Sequence, residues 1–196
     1  MKGFFKRLCA AALTLTVAAA AFAPAALAVQ LPTLPKDQCV VDGAGILSDE
    51  TAEYLDLMNG QLESSCSGAQ IGVVTIENTG DVTTEEYALE VFNTWGIGSA
   101  SENNGILILL VMDSPIYEDG DYYLMYGDGF CNTVIDKEAS ALAQTMEDNF
   151  VAKDYDAAVK TCVDAVAEKI ADIYNASLEM KEFQQSNGAA KHFMPQ

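Results

Sequence analysis

Residues 106–112 read Ile106-Leu107-Ile108-Leu109-Leu110-Val111-Met112, seven apolar side chains in a row with no polar partner between them. A strand with one wet face alternates apolar and polar residues, so an unbroken run of this length marks a central strand covered on both faces. Downstream, Asp113 to Asp121 is a polar turn and Tyr122-Tyr123-Leu124-Met125-Tyr126 is a second strand, predicted to return antiparallel beside the first. Upstream, Ile71 to Ile76 is a short β-branched run, too short for a helix, and reads as another buried strand.

Helices fill the intervals. Ser48 is placed as an N-cap before a glutamate-bearing first turn, and Leu55, Met58 and Leu62 then recur at helical spacing until Ser67-Gly68. Thr83 or Thr84 caps a second helix whose apolar face is Tyr87, Ala88, Val91, Phe92 and Trp95 and which stops at Gly96. Two more are predicted over Thr133–Phe150 and Asp154–Tyr174, the last with Ala158, Cys162, Ala165 and Ile173 as buried positions. Helices alternating with buried strands give an α/β fold, a three-layer α/β/α sandwich with a small mixed sheet. No G-x-G-x-x-G follows the first strand and no Walker lysine loop occurs, which argues against a nucleotide-binding sheet.

The N-terminus has its own pattern. Lys2, Lys6 and Arg7 precede an apolar stretch from Leu8 to Phe22, and Ala26-Leu27-Ala28 is a small-residue cleavage motif, so residues 1–28 are expected to be a secretory signal peptide. The alternative is an uncleaved anchor, against which stand Pro24 and the dominance of alanine over leucine. Residues 29–37 read as an extended leader, 38–176 as one domain and 177–196 as a polar tail. With Lys2, Lys6 and Arg7 removed from the ten basic residues, seven lysines and no arginine face twenty-nine carboxylates, a formal charge of −22. Nucleic acid is a poor partner for such a surface, and so is an anionic membrane, because both require clustered lysine and arginine. Hard cations that take oxygen ligands, Ca²⁺ or Mg²⁺, suit it. Four cysteines remain beyond the signal segment, Cys39, Cys66, Cys131 and Cys162, and an even number in an exported chain points to two disulfides. Three pairings are open, and Cys39 with Cys66 and Cys131 with Cys162 is the one adopted here. No C-x-x-C pair and no second stretch of about twenty apolar residues occurs, so neither a zinc ribbon nor a transmembrane segment after signal cleavage is expected.

Five short motifs then resemble one family in order and spacing. Val40-Val41-Asp42-Gly43-Ala44-Gly45-Ile46-Leu47-Ser48 is similar to the entry motif of TPM domains. Trp95-Gly96-Ile97-Gly98, Asn103-Asn104-Gly105, Gly127-Asp128-Gly129, and Phe150 with Asp154-Tyr155 and Ala158 continue the resemblance across residues 38–176. It implies an exported or membrane-tethered domain, lumenal and tied to photosystem repair in plants, with divalent-cation binding in relatives and weak acid phosphatase activity in one plant branch. Where relatives commonly carry an Asp-Arg pair after the central strand, this chain has Asp113-Ser114, which weakens the case for phosphate handling. Many relatives continue into a transmembrane helix or a low-complexity tail; this chain is expected not to, which favours a free protein of the envelope or extracellular space.

If the strands of residues 106–112 and 122–126 pair as a hairpin, Asn103-Asn104-Gly105 and Gly127-Asp128-Gly129 must share one edge of the sheet. The acidic turn with Asp113, Glu118, Asp119 and Asp121 then lies at the other edge. The first edge offers oxygen donors from Asn103, Asn104 and Asp128, with Asp136 at a family-matching position and Asp42 as a further donor if its loop folds across. These five form the expected Ca²⁺ or Mg²⁺ site. The competing account is structural, since Asn-Asn-Gly and Gly-Asp-Gly are ordinary turn sequences whose side chains satisfy local backbone groups. The second edge is carboxylate-dense but has no EF-hand spacing. The only histidine, His192, sits in the tail, so neither Ser/His/Asp nor Cys/His catalysis is expected. The expected function is a non-enzymatic, cation-assisted interaction or assembly module with a cell-envelope protein partner. The alternative is a weak metal-dependent phosphatase, in which bound metal supplies nearly all the charge stabilisation.

Overall fold

A computed structural model describes residues 31–36, 38–114 and 120–179. The signal segment, residues 29, 30 and 37 of the leader, Glu118, Asp119, most of the tail and His192 lie outside the described residues. Strands β1 (Val40–Asp42), β2 (Gln70–Ile76), β3 (Gly105–Val111) and β4 (Asp121–Tyr126) form one sheet in that spatial order. The first three are parallel and β4 is antiparallel to β3, with Ile106 opposite Tyr126 and Val111 opposite Asp121. The helices are α1 (Asp49–Ser65), α2 (Thr84–Trp95), α3 (Val134–Gln144), α4 (Glu147–Val151) and α5 (Tyr155–Tyr174), and a 3-10 turn spans Asp128–Phe130.

Every residue of β3 is buried, because the strand has helices on both sides. Ile106, Ile108 and Leu110 join Ile71, Val73 and Leu124 against α1, α3 and α5. Leu107, Leu109 and Val111 join Val74 and Ile76 against the single helix α2. The three-layer sandwich expected from the sequence is therefore present, with unequal outer layers. Gly72 belongs to this arrangement: a Cβ there would stand 2.8 Å from Ile97 Cδ1, so its absence lets the residue after α2 lie flat on the sheet. Each buried aliphatic side chain contributes about 1.5–3 kcal/mol.

Local signals explain the boundaries. Ser48 caps α1 and is itself tied to α5, since its backbone N–H and its hydroxyl both donate to Asp156 Oδ1 at 2.9 Å. Thr83 and Glu86 form a reciprocal capping box at the start of α2, and Gly96 ends that helix in the left-handed conformation at φ 63°. The indole N–H of Trp95 donates to Pro32 O at 2.8 Å, which fastens the leader to α2.

Two expectations need correction. The single helix over Thr133–Phe150 is broken at Thr145 and Met146, where Thr145 N and Oγ1 both donate to Leu142 O and Met146 N donates to Ala143 O. The tightened turn redirects the chain so that Met146 and Phe150 enter the core, the Phe150 ring lying edge-on to Tyr122 and Tyr155 at centroid distances of 5.4 and 5.5 Å. The expected disulfides are not formed, and all four cysteines are free. Cys66 and Cys162 are core side chains, Cys162 lying on the buried stripe of α5 with its thiol toward Leu142 O, whereas Cys131 is exposed and Cys39 donates to Asp56. Cys66 and Cys162 take a role that suits a free cysteine, that of a small core residue, and an even count says nothing of distance. The strand β1 is a third difference: it has three residues, too few for a pattern, and is set by pairing with β2.

Candidate functional site

The hairpin places Asn103-Asn104-Gly105 and Gly127-Asp128-Gly129 on one edge, as the sequence required. Gly127 N donates to Gly105 O and Gly129 N donates to Asn103 O, both at 3.0 Å. The glycines serve contact between backbones. A Cβ on Gly129 would lie 2.1 Å from Glu102 O, on Gly127 2.2 Å from Asn103 O, on Gly105 2.1 Å from Ile97 O, and on Gly98 2.5 Å from Gly105 N. The motifs Trp-Gly-Ile-Gly, Asn-Asn-Gly and Gly-Asp-Gly are thus one interlock of three chain segments.

Asn104 sits at its centre, fully buried. Its Oδ1 accepts from Ser99 N at 3.0 Å, and its Nδ2 donates to Tyr174 Oη at 2.9 Å and to Cys66 O and Ser67 O at 3.3 Å. Both amide hydrogens and one lone pair are therefore committed to joining α1, α5 and the loop after α2. Asn103 is exposed, in the left-handed conformation at φ 51°. Asp128 is also exposed, and its carboxylate accepts from Cys131 Sγ at 4.0 Å. Asp136 accepts from Tyr126 Oη at 2.7 Å and from Asn132 N at 2.8 Å, and these two bonds hold its carboxyl below the usual range.

Asp42 stands apart. It pairs with Thr75, which pairs with Leu110, so it lies about 17 Å along the strand direction from Gly105, at the opposite edge. Its two oxygens accept from Ile46 N, Leu47 N and the Thr75 hydroxyl, shaping the loop into α1. At that same edge Asp121 accepts from the Thr84 hydroxyl and from Tyr122 N. The five expected metal ligands do not form one coordination sphere: Asp42 is remote and Asn104 is spent on the fold. Among the described residues no three His, Cys, Asp or Glu side chains gather as metal ligands do.

A concavity among the described residues lies elsewhere. A groove of about 860 Å³ runs between β4 and the helices α3 and α4. Its floor is Leu124, flanked by Tyr122 and Tyr126. Tyr122 Oη donates to Glu147 at 2.5 Å and Tyr126 Oη to Asp136 at 2.7 Å, so two tyrosine–carboxylate pairs wall the groove at either end. The carboxylate beside Tyr126, with partial burial, pushes that phenol up to about 12, and burial followed by Glu147 pushes Tyr122 up further, so both stay protonated donors. The alternation of Tyr122, Leu124 and Tyr126 was visible in the sequence; that an acidic helix lies over the same face was not.

The comparisons with known proteins agree with this architecture. The search of curated proteins found no match. Among solved structures, the chain is similar to the N-terminal domain of a P. gingivalis protein, with TM-score 0.58 and 23% identity over 74% of this chain and 89% of that one. It is similar also to the N-terminal domain of a Corynebacterium glutamicum protein, with TM-score 0.52 and 15% identity over 80% and 94%. At these identities the likeness is one of fold. The family model described as TPM domain matches residues 40–169, a span that runs from β1 into α5 and contains the whole glycine interlock, and the chain belongs to the TPM domain family.

Proposed function

We propose that this protein is an exported, non-enzymatic interaction module that holds a protein partner in the groove along β4. The observation that carries the reading is the groove itself, about 860 Å³ with a pair of tyrosine–carboxylate clasps over an apolar floor. A groove beside an edge strand, with an apolar base and a few fixed polar groups, is a form in which proteins take up an extended segment of another protein. Two of the described thiols are poorly disposed for catalysis: burial and the Asp56 contact push the Cys39 thiol up to about 12, and burial pushes Cys162 to about 12. Export rests on the basic, apolar and small-residue order of residues 1–28.

Capture of a partner from envelope extract in the presence of chelator tests the proposal, with wild type set against a variant carrying both Asp136→Lys and Glu147→Lys. The expected result is a partner retained by wild type and lost by the variant. Equal retention overturns the assignment to this groove, and chelator-sensitive turnover of a generic phosphoester that vanishes in Asp128→Asn overturns the non-enzymatic reading.

A cation-assisted form of the same function is favoured by one observation, the exposed and nearly unbonded Asp128 carboxylate beside exposed Asn103 on a strongly acidic chain. Calorimetric titration with Ca²⁺ and Mg²⁺ decides it. Heat that disappears in Asp128→Ala supports the cation, and no heat in wild type removes it.

A further inference from the structure

The backbone of β4 has a side that β3 does not use. Gly127 N donates to Gly105 O, and ladder bonds alternate along an antiparallel pair, so Asp121, Tyr123 and Met125 turn their N–H and C=O groups toward β3. Tyr122, Leu124 and Tyr126 turn theirs outward. Among the described residues, one of these outward groups has a partner: Tyr122 N–H, which donates to the Asp121 carboxylate. The N–H of Leu124 and Tyr126 and the C=O of Tyr122, Leu124 and Tyr126 form an open edge of the kind to which an extended chain adds as a further strand.

The same three residues face the groove. A strand laid antiparallel on this edge would pair residue for residue with Tyr122, Leu124 and Tyr126, and its side chains at those positions would point over the groove. The two outer positions meet Glu147 and Asp136, and the middle one meets Leu124. The charged residues lining the groove are Asp121, Asp136, Glu147 and one cation, Lys137, so the surface is net negative. Of the three acids, Asp136 and Glu147 lie about 13 Å apart along β4 as judged from the four-residue interval between their tyrosines.

Resting on the reading of the groove as the binding face, we propose that its occupant is an extended segment of a partner protein added as a fifth strand. That segment carries Lys or Arg at i and i+4 and an apolar β-branched residue at i+2. Backbone bonds to β4 give the affinity, and the carboxylates at either end fix the register and select against acidic sequences.

The probe is the nonapeptide Ser-Thr-Lys-Thr-Val-Thr-Lys-Thr-Ser, blocked at both ends and labelled with a fluorophore, titrated against the purified protein by anisotropy. Its Glu-for-Lys analogue and two N-methylated forms serve as comparisons. Methylation at Lys, Val and Lys removes the N–H groups that would face β4, while methylation at the two Thr that flank Val leaves them. The expected results are binding at least about tenfold tighter than the acidic analogue, about tenfold weaker at 0.5 M salt where charges are screened, lost on methylation of the first set and kept on methylation of the second. In amide NMR spectra Leu124 and Tyr126 shift on binding. The variant Tyr126→Pro, which removes an outward N–H and leaves the β3 ladder intact, loses binding, and circular dichroism checks that it folds. Binding indifferent to methylation overturns strand addition and leaves groove recognition standing. Absence of binding by any peptide, with a groove-dependent partner still captured from extract, overturns the cationic strand alone. A captured partner untouched by the Asp136 and Glu147 substitutions sinks the underlying reading instead.

Discussion

Replacing Asn104 by alanine separates a structural asparagine from a metal ligand. The substitution removes the acceptor of Ser99 N–H, a half-buried donor, at about 1–2 kcal/mol. Loss of the 2.9 Å bond to Tyr174 adds about 1 kcal/mol, reduced because Tyr174 is only half-buried and its hydroxyl can find water. The bonds to Cys66 O and Ser67 O, both 3.3 Å, add little, since Cys66 O keeps Ala69 N as a donor. The total is about 2–3 kcal/mol, a large share of the stability of a domain this size. Urea unfolding followed by circular dichroism should show the midpoint falling by about 1–2 M at unchanged slope, and the melting temperature should fall by about 10 °C. A midpoint within about 0.3 M of wild type without metal, together with calcium heat lost in the variant, would refute the reasoning and restore Asn104 as a ligand.

Three further outcomes are expected. Gly129→Ala should cost more than about 3 kcal/mol, because its Cβ meets Glu102 O at 2.1 Å and a carbonyl cannot yield, whereas Gly45→Ala, at φ 67° with open space around it, should cost about 1 kcal/mol; urea midpoints compare them. Burial acts to raise the Asp156 carboxyl, but the donors on Thr51 and Ser48 outweigh it and hold the group below its usual range. Its stabilising contribution is therefore present above the unfolded-state value of about 3.9 and lost as pH falls through the folded one. The stability gap between wild type and Asp156→Asn should accordingly be full at pH 7 and narrow at pH 3; a gap unchanged between the two pH values would count against it. With a chromogenic disulfide reagent, exposed Cys131 should react at once, Cys39 slowly, and Cys66 and Cys162 only after unfolding; fewer than four reactive thiols in the denatured mature chain would contradict the free-thiol arrangement.

What the sequence displayed was whatever depends on neighbours along the chain. The unbroken apolar run of β3, the threonine cap at residue 83 or 84 and Gly96 are local signals; the run and the glycine stand where they were placed, and the cap is Thr83. The shared edge of Asn-Asn-Gly and Gly-Asp-Gly followed from hairpin geometry alone. What was hidden depends on residues distant in sequence. Nothing around Asn104 announces that Cys66 O, Ser67 O and Tyr174 will surround it, and a buried amide and an exposed ligand look identical as a letter. Thr145 and Met146 are acceptable helix residues, and the bend between them exists because Phe150 has a better place between Tyr122 and Tyr155. Pairing of cysteines was inferred from their number, which carries no distance.

The glycine interlock has a kinetic corollary. Its contacts join the loop after α2, the entry to β3 and the exit from β4, none of which can engage usefully until the other two have arrived. Opening any one of the three therefore releases the other two. The amide proton of buried Gly127 is held inside that joint, so it should exchange with deuterated solvent only when the entire domain opens, reporting global stability from the very rim of the sheet.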